Sequence, residues 1–483
     1  MTDKLLRATA VEIVRHLQSA GFSAFWVGGC VRDFLLGREP QDYDIATSAR
    51  PEQVEKLFKR TVAVGRKFGV MVVIENGRQF QVATYRAEAD YRDGRHPDKV
   101  TFGVAEADAQ RRDFTVNGLF YDPIAEKLHD WVGGEKDLRA KIIHTIGVPE
   151  ERFAEDHLRL LRAVRFAAQL GFGIEPQTMA AVRRLAPKIE LISAERIRDE
   201  LIKLFSAAPI SVAAEVTRRT STVAAYPPPH VGGYKSTVAA RGLVLLRDSG
   251  LLPGVLPELV ATIACEQSPD FHPEGTVFEH IRLMLEKLPA GAPESLPWAV
   301  ILHDIAKPAT AERDPATGKI HFYGHEKTGA ALAERILTRL RFPKRQIGEI
   351  VACVRQHMQF KDVKQMRKAT LRRLLLRKTF PLELELHRLD CLGSHGDLGH
   401  YEFLVEQAAE LKKKPALRPP LLTGTDLIAL GMKPGPAMGA LLAEIREKQL
   451  QDELKTPRQA RAWVKLRIKG ADNTPAKARS FFP

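Results

Sequence analysis

Residues Gly28–Thr47 read GGCVRDFLLGREPQDYDIAT, and the reading of this stretch decides the fold. The preceding SAFWV is aromatic-rich and strand-like, and it runs into a Gly-Gly turn and a short helical segment. QDYDIAT then reads as a second strand. Side chains alternate along a strand, so Asp42 and Asp44 project to the same side. Two neighbouring anions are costly without a cation between them, and one or two carboxylates completed by substrate phosphates are what Mg²⁺ prefers. Gly28 and Gly29 bring backbone N–H groups to a helix start, and Arg32 adds a guanidinium suited to a triphosphate. The expectation is a metal-dependent nucleotide site with Asp42 and Asp44 as catalytic metal ligands.

Working outward, residues 4–20 repeat apolar positions at helical spacing. Strand patterns follow at Thr61–Val64, Val70–Glu75 and Phe80–Tyr85, the last two joined by turn chemistry at Asn76-Gly77. From Glu151 onward the pattern is helical, beginning with AEDHLRLLRAVRFAAQL and continuing with AERIRDELIKLF. Ser206–Ala240 stands apart, with a YPPPHVGGYKS tract and STVAA written twice, and it reads as a flexible insertion.

The composition narrows the class. Among 483 residues, 73 Lys and Arg face 59 Asp and Glu, a formal net charge of +14. This excludes an acidic or neutral solute-binding protein and points to phosphate-bearing partners, most simply nucleic acid. A hydrophobic content of 44% is ample for real cores and rules out wholesale disorder. The 4 cysteines show no CxxC spacing, so neither a disulfide framework nor a thiolate zinc site is expected, and a reducing compartment is. The first twenty residues lack the apolar core of a signal peptide, and no apolar run approaches the ~20 residues that span a bilayer. A cytoplasmic protein without membrane contact is expected.

The combined string GGCVRDFLLG followed by DYD resembles the class II tRNA nucleotidyltransferase and bacterial poly(A) polymerase superfamily, whose head carries GGxVRDxLLG and then DxD. RRDFTVNGLFYDP, Arg111–Pro123, resembles the second head motif, which implies that the Arg111–Thr115 segment, Arg111 and Asp113 above all, and Asn117 support phosphates and ribose. Tyr85–Gly103 resembles the loop present in enzymes that add the terminal A. Where many relatives have an acidic residue at or near Gln81, this chain has none, so a two-carboxylate site is expected. EDHLR followed by RAVRFAAQLGF resembles the neck motif that reads the incoming base, which implies roles for Asp156, Arg159, Arg162 and Arg165. Asp156 and Arg159 are three apart on an expected helix and would share a face. A carboxylate that accepts and a guanidinium that donates match the edges of cytosine and adenine and refuse those of guanine and uracil. Glu195, Arg196 and Glu200 resemble the next neck motif, as scaffolding.

Further on, His280, His303-Asp304, His325, His357 and Asp390 fall in order along expected helices. The order resembles the HD phosphohydrolase superfamily, fused to the head in some tRNA nucleotidyltransferases. It implies a second metal site, holding a divalent transition metal or Mg²⁺, that hydrolyses phosphomonoesters or 2′,3′-cyclic ends. His129–Asp130 also spells His-Asp but sits in a segment that reads as structural. LRRLLLRKTF, Lys412–Lys414 and the tail supply clustered positive charge for an RNA backbone.

The expected architecture is multidomain: an α+β nucleotidyltransferase head with a small mixed sheet (1–147), followed by an all-α neck (148–260) holding the insertion at 206–240. An HD domain (261–400), a helical body (401–468) and a basic tail (469–483) complete it. The expected activity is template-independent CCA addition to the 3′ end of tRNA from CTP and ATP, with Mg²⁺ in the head and a phosphohydrolase in the HD domain. A poly(A) polymerase, an A-adding enzyme, or an HD phosphohydrolase with a nucleotide-binding head are the alternatives. The sequence does not give the oligomeric state.

Overall fold

A computed structural model describes residues 2–87, 102–205, 237–268, 272–413 and 419–472. Most of the Ser206–Ala240 insertion, most of the Tyr85–Gly103 loop, Lys414 and the end of the tail lie outside them. The chain forms two compact units. The first comprises 1–267, 275–298 and 334–347, and the second 268–274, 299–333 and 348–483.

The first unit opens with helix α1 (Thr2–Ser19), strand β1 (Ala24–Val27), helix α2 (Gly29–Leu35) and strand β2 (Ile45–Thr47). Helix α3 (Pro51–Leu57) and strands β3 (Thr61–Gly65), β4 (Val70–Glu75) and β5 (Arg78–Thr84) follow. Helix α4 (Ala105–Gln110), strands β6 (Phe120–Asp122) and β7 (Lys127–His129), and helix α5 (Gly134–Ala140) complete the head. The sheet order is β3-β4-β5-β2-β1-β6-β7. All its pairs are antiparallel except β2 with β5, where Ile45 faces Val82, so this is the mixed sheet of an α+β head. The β4–β5 hairpin turns at Asn76 and Gly77, both at positive φ (50° and 72°), as the Asn-Gly signal requires.

β1 pairs with β2 on one side and β6 on the other. Its C-terminal end therefore delivers Gly28 between two chain segments that carry chemistry. The Val27 N–H donates to the Asp44 carbonyl at 3.0 Å, and the Gly28 N–H to the Leu119 carbonyl at 3.3 Å. Trp26 and Tyr43 pack with ring centroids 4.6 Å apart beneath this junction, both almost fully buried. Asp130 uses its carboxylate to accept the N–H groups of Val132, Gly134 and Glu135 at the start of α5.

Helices α6 (Pro149–Glu155), α7 (Leu158–Leu170), α8 (Pro176–Leu185) and α9 (Ala194–Leu204) follow. α7 buries ten of its thirteen residues and packs against α9 and the helix Val238–Asp248. That last helix corrects one boundary of the expected insertion. Thr237, Val238, Ala239 and Ala240, four of the five residues of the second STVAA, are buried. The Thr237 hydroxyl accepts the Ala240 N–H and donates to the Leu285 carbonyl at 2.7 Å. Small residues that look like linker are here the tight seat of a helix start.

Among its described residues the second unit is helical apart from a hairpin, Glu312–Arg313 with Ile320–His321. One of its apolar clusters centres on Phe360, Leu374, Phe380 and Leu404, and another on Leu422, Leu427, Ala460 and Val464. Arg372 joins helix Lys368–Leu375 to the turn at Asp452, with Nη1 2.7 Å from Oδ1.

Candidate active site and a second metal-ligating cluster

Asp42 and Asp44 lie in extended chain just before β2, which begins at Ile45. The alternation expected of a strand persists: Tyr43 is buried between an exposed Asp42 and a partly buried Asp44. Burial, and then the neighbouring Asp42, push the Asp44 carboxyl up to about 6, while Arg112 opposes them. A carboxylate this reluctant to ionise alone is the environment that a bound cation relieves, so the pair fits a divalent metal.

Gly28 caps α2 at φ 73°, and a Cβ there would stand 3.0 Å from Arg112 Nη1. The glycine thus lets backbone and guanidinium approach closely, with Arg112 near enough to Asp44 to act on its carboxyl. The sequence reading took in both arginines with their segment and singled out Arg111. Arg111 folds back on Asp108, with Nη2 2.5 Å from Oδ1. Arg112 takes the other Asp108 oxygen at 3.0 Å and reaches the Asn117 carbonyl at 3.4 Å. Asp108 is almost fully buried, and it also accepts the Arg86 N–H at 3.1 Å. Its spacing of three and four residues from the arginines was a usable signal.

Four expected nucleotide-binding residues form one relay. Arg32 Nη1 donates to Asn117 Oδ1 at 2.9 Å, and Asn117 Nδ2 to Asp113 Oδ1 at 3.2 Å. Arg162 Nη2 lies 2.6 Å from Asp113 Oδ2. Burial works to raise the Asp113 carboxyl, but Arg162 and Asn117 hold it below the usual carboxylate range. The Arg32, Arg162 and Arg165 guanidiniums gather 5.5, 5.2 and 4.0 Å from the centre of the Phe166 ring. Arg165, expected at the nucleotide, is buried against Glu200 at 2.5 Å and Gln169 at 2.9 Å, and it braces α7 on α9.

The expected single helix carrying Asp156 and Arg159 is two helices. α6 ends at Glu155, Asp156 is extended (φ −154°, ψ 104°), and α7 begins at Leu158. The cause is the carboxylate itself: Asp156 Oδ1 accepts the Leu158 N–H at 3.0 Å, an Asx turn that competes with helix. Its Oδ2 pairs with Arg196 at 2.6 Å. Arg159 pairs with Glu155 at 2.5 Å and donates to the Arg152 carbonyl. Both residues flank the helix break, each with a named partner.

In the second unit, Asp304, His325 and His357 converge, all buried, with ligand atoms within 4.8 Å of one another. His325 Nε2 is 3.3 Å and His357 Nε2 3.6 Å from Asp304 Oδ1. Each imidazole anchors its Nδ1 on a backbone carbonyl, His325 on Phe322 and His357 on Val354, both at 2.7 Å. This fixes Nε2 as a lone pair in the neutral ring, and the two Nε2 atoms face each other at 3.1 Å. Two neutral acceptors cannot bond to each other, so a shared proton or a bound cation resolves the contact; burial works against protonation of His325, but Asp304 raises the ring's basicity. His303 adjoins, with Nδ1 on the Val300 carbonyl at 2.8 Å and Nε2 3.1 Å from Asp304 Oδ2. Burial lowers the His303 ring's basicity, and Asp304 and Asp390 oppose that. Burial opposes ionisation of Asp304, but His303 and Lys307, whose ammonium is 2.7 Å away, hold it well below the usual carboxylate range. His280 is buried on helix Val277–Glu286, in the first unit.

Three family models match: the poly A polymerase head domain over residues 24–144, the probable RNA and SrmB-binding site of polymerase A over 171–220, and the HD domain over 275–391. The chain therefore carries a nucleotidyltransferase head of the poly A polymerase type and an HD domain. A CCA-adding enzyme of Staphylococcus aureus is 45% identical over 204 residues, which is 42% of this chain and 50% of that protein. The match thus spans about half the length of the curated relatives. The structure of the Bacillus stearothermophilus CCA-adding enzyme in complex with CTP superposes with a TM-score of 0.67 and 26% identity, covering 96% of this chain and 98% of that one. The Thermotoga maritima CCA-adding enzyme complexed with tRNA shares the fold, with a TM-score of 0.54 at 18% identity. Among the described residues, no helix is long and apolar enough to cross a membrane.

Proposed function

We propose that this protein adds C, C and A to the 3′ end of tRNA from CTP and ATP, releasing pyrophosphate, in the cytoplasm. The observation that carries the reading is the paired Asp42 and Asp44 beside the Gly28 turn, with the Arg32–Asn117–Asp113–Arg162 relay leading from that turn to α7. Asp42 and Asp44 would hold Mg²⁺, which supplies activation of the RNA 3′ hydroxyl and offsets charge on the α-phosphate. Gly28 admits the triphosphate close to the backbone, and Arg112, held by Asp108, meets its negative oxygens. Asn117 and Asp113 set the ribose side and orient Arg32 and Arg162. Asp156 and Arg159 present an acceptor and a donor to the base once they exchange Arg196 and Glu155 for it. The energy of that exchange favours bases with the matching edge, which gives selectivity without a template.

The HD cluster is proposed to bind a transition metal or Mg²⁺ through His303, Asp304, His325, His357 and Asp390, and to hydrolyse phosphate esters at RNA ends. The test for the head is incubation with tRNA lacking CCA, each triphosphate separately and both together, followed by sequencing of product ends. Addition of CCA and arrest is expected. Continued A addition would assign a poly(A) polymerase, growth only on tRNA ending in CC an A-adding enzyme, and phosphate release without incorporation an HD hydrolase alone.

A further inference from the structure

We propose that Tyr323 and His321 form a stacking platform for the terminal nucleobase of an RNA whose 3′-phosphate or cyclic phosphate enters the HD cluster. This rests on the hydrolase reading of that cluster and names what would make it selective for RNA ends. The segment His321–His325 has two faces. Inward, the Phe322 carbonyl accepts from the His325 ring at 2.7 Å, and the Phe322 ring covers the Lys307 ammonium at 5.4 Å, the same ammonium that pairs with Asp304. Outward, Tyr323 is 73% exposed, among the most exposed large apolar side chains described. Its ring stacks on that of His321, with centroids 5.4 Å apart and planes within 14° of parallel, which leaves the outer face of Tyr323 for a base. A hairpin, Glu312–Arg313 with Ile320–His321, holds one end, and helix His325–Arg339 holds the other.

The platform is therefore built into the element that orients a ligand of the cluster. Tyr323 and His325 are two positions apart, with Gly324 between them, so their Cα atoms are at most roughly 7 Å apart. That suits a base stacked outside while its own 3′-phosphate reaches inward. Charge on the hairpin is balanced, Glu312 and Asp314 against Arg313 and Lys319. Attraction for the RNA backbone is therefore weak here, and the exposed π-face carries the recognition; such stacking tolerates any base.

The test uses the full-length protein and two substrates, p-nitrophenyl phosphate and a short RNA with a 3′-phosphate, each with Mn²⁺ or Ni²⁺. Tyr323→Ala should raise KM for the RNA about tenfold and leave hydrolysis of p-nitrophenyl phosphate unchanged, while Tyr323→Trp keeps the wild-type KM. Independently of activity, an RNA ending in 5-iodouridine 3′-phosphate should photocrosslink to the peptide containing Tyr323, and Tyr323→Ala should abolish that adduct. An equal effect on both substrates, no effect on either, or crosslinking only elsewhere would overturn the platform. Should the wild type hydrolyse neither substrate, the hydrolase reading fails, and the crosslink alone decides whether the RNA end stacks on Tyr323.

Discussion

Asp44→Asn should abolish nucleotide incorporation and yet stabilise the metal-free protein. The carboxyl stands at about 6 in the folded chain against 3.8 when free, because it is buried and faces Asp42. That is about two pH units, and at roughly 1.36 kcal/mol per unit the ionised Asp44 carries a penalty of at most about 3 kcal/mol at neutral pH. The sign follows from the raised value: below about 4 the group is protonated in both states, between about 4 and 6 only the native chain keeps the proton, and above 6 the native chain bears the full penalty. An isosteric amide removes the charge. In EDTA at pH 7.5, Asp44→Asn should therefore melt higher than wild type, by a few °C for a unit of this size. The gain should shrink as pH falls toward 5. Added Mg²⁺ should raise the wild-type melting temperature by more than the variant's, which keeps only the HD cluster to bind it, while incorporation in the variant stays below about one tenth of wild type. Thermal melting with and without EDTA, at pH 5 and 7.5, checks each limb. A variant less stable than wild type in EDTA at pH 7.5 would refute the argument that Asp44 is held in place at an electrostatic cost for a cation.

Asp156→Ala should lower the preference for CTP and ATP over UTP and GTP by about ten- to hundredfold, since a charge-assisted hydrogen bond contributes roughly 1.5–3 kcal/mol; single-turnover assays with all four triphosphates read it. Asp108→Asn loosens Arg112 and should raise KM for CTP and ATP alike, by about tenfold, with base selectivity intact. Glu200→Ala leaves the Arg165 guanidinium buried without its carboxylate and should destabilise the first unit by about 3–5 kcal/mol, seen in denaturant unfolding. Replacing His303 and Asp304 together by Ala should remove metal-dependent phosphate-ester hydrolysis and spare CCA addition, measured in parallel on one preparation.

Local chemistry was legible in the sequence wherever it is set by neighbours along the chain. Val70–Glu75 and the Asn76-Gly77 turn follow from alternation and from the need for positive φ, and the α+β head followed by helices follows from the change of hydrophobic period near Glu151. The Asp42–Asp44 pair was equally readable, because a two-residue spacing fixes the side to which both carboxylates point. Tertiary structure decided what spacing leaves degenerate. Of the adjacent Arg111 and Arg112, only the second reaches the Gly28 turn, and the phase of α4 relative to β1 chooses between them. The partner of Arg165, Glu200, became visible only when α9 placed it there. A single carboxylate broke the helix at Asp156, since its bond to the Leu158 N–H competes with the helical one, and a residue type with two such outcomes cannot announce which wins. The second STVAA looked like linker because small residues suit both loops and close packing, and only helix Val238–Asp248 seated on Leu204 and Leu285 distinguishes them. In the HD cluster the ligand types were plain, but the facing Nε2 atoms of His325 and His357 exist only because two backbone carbonyls, Phe322 and Val354, turn the rings inward. Sequence names the donors, and the backbone that folds around them determines which lone pairs meet.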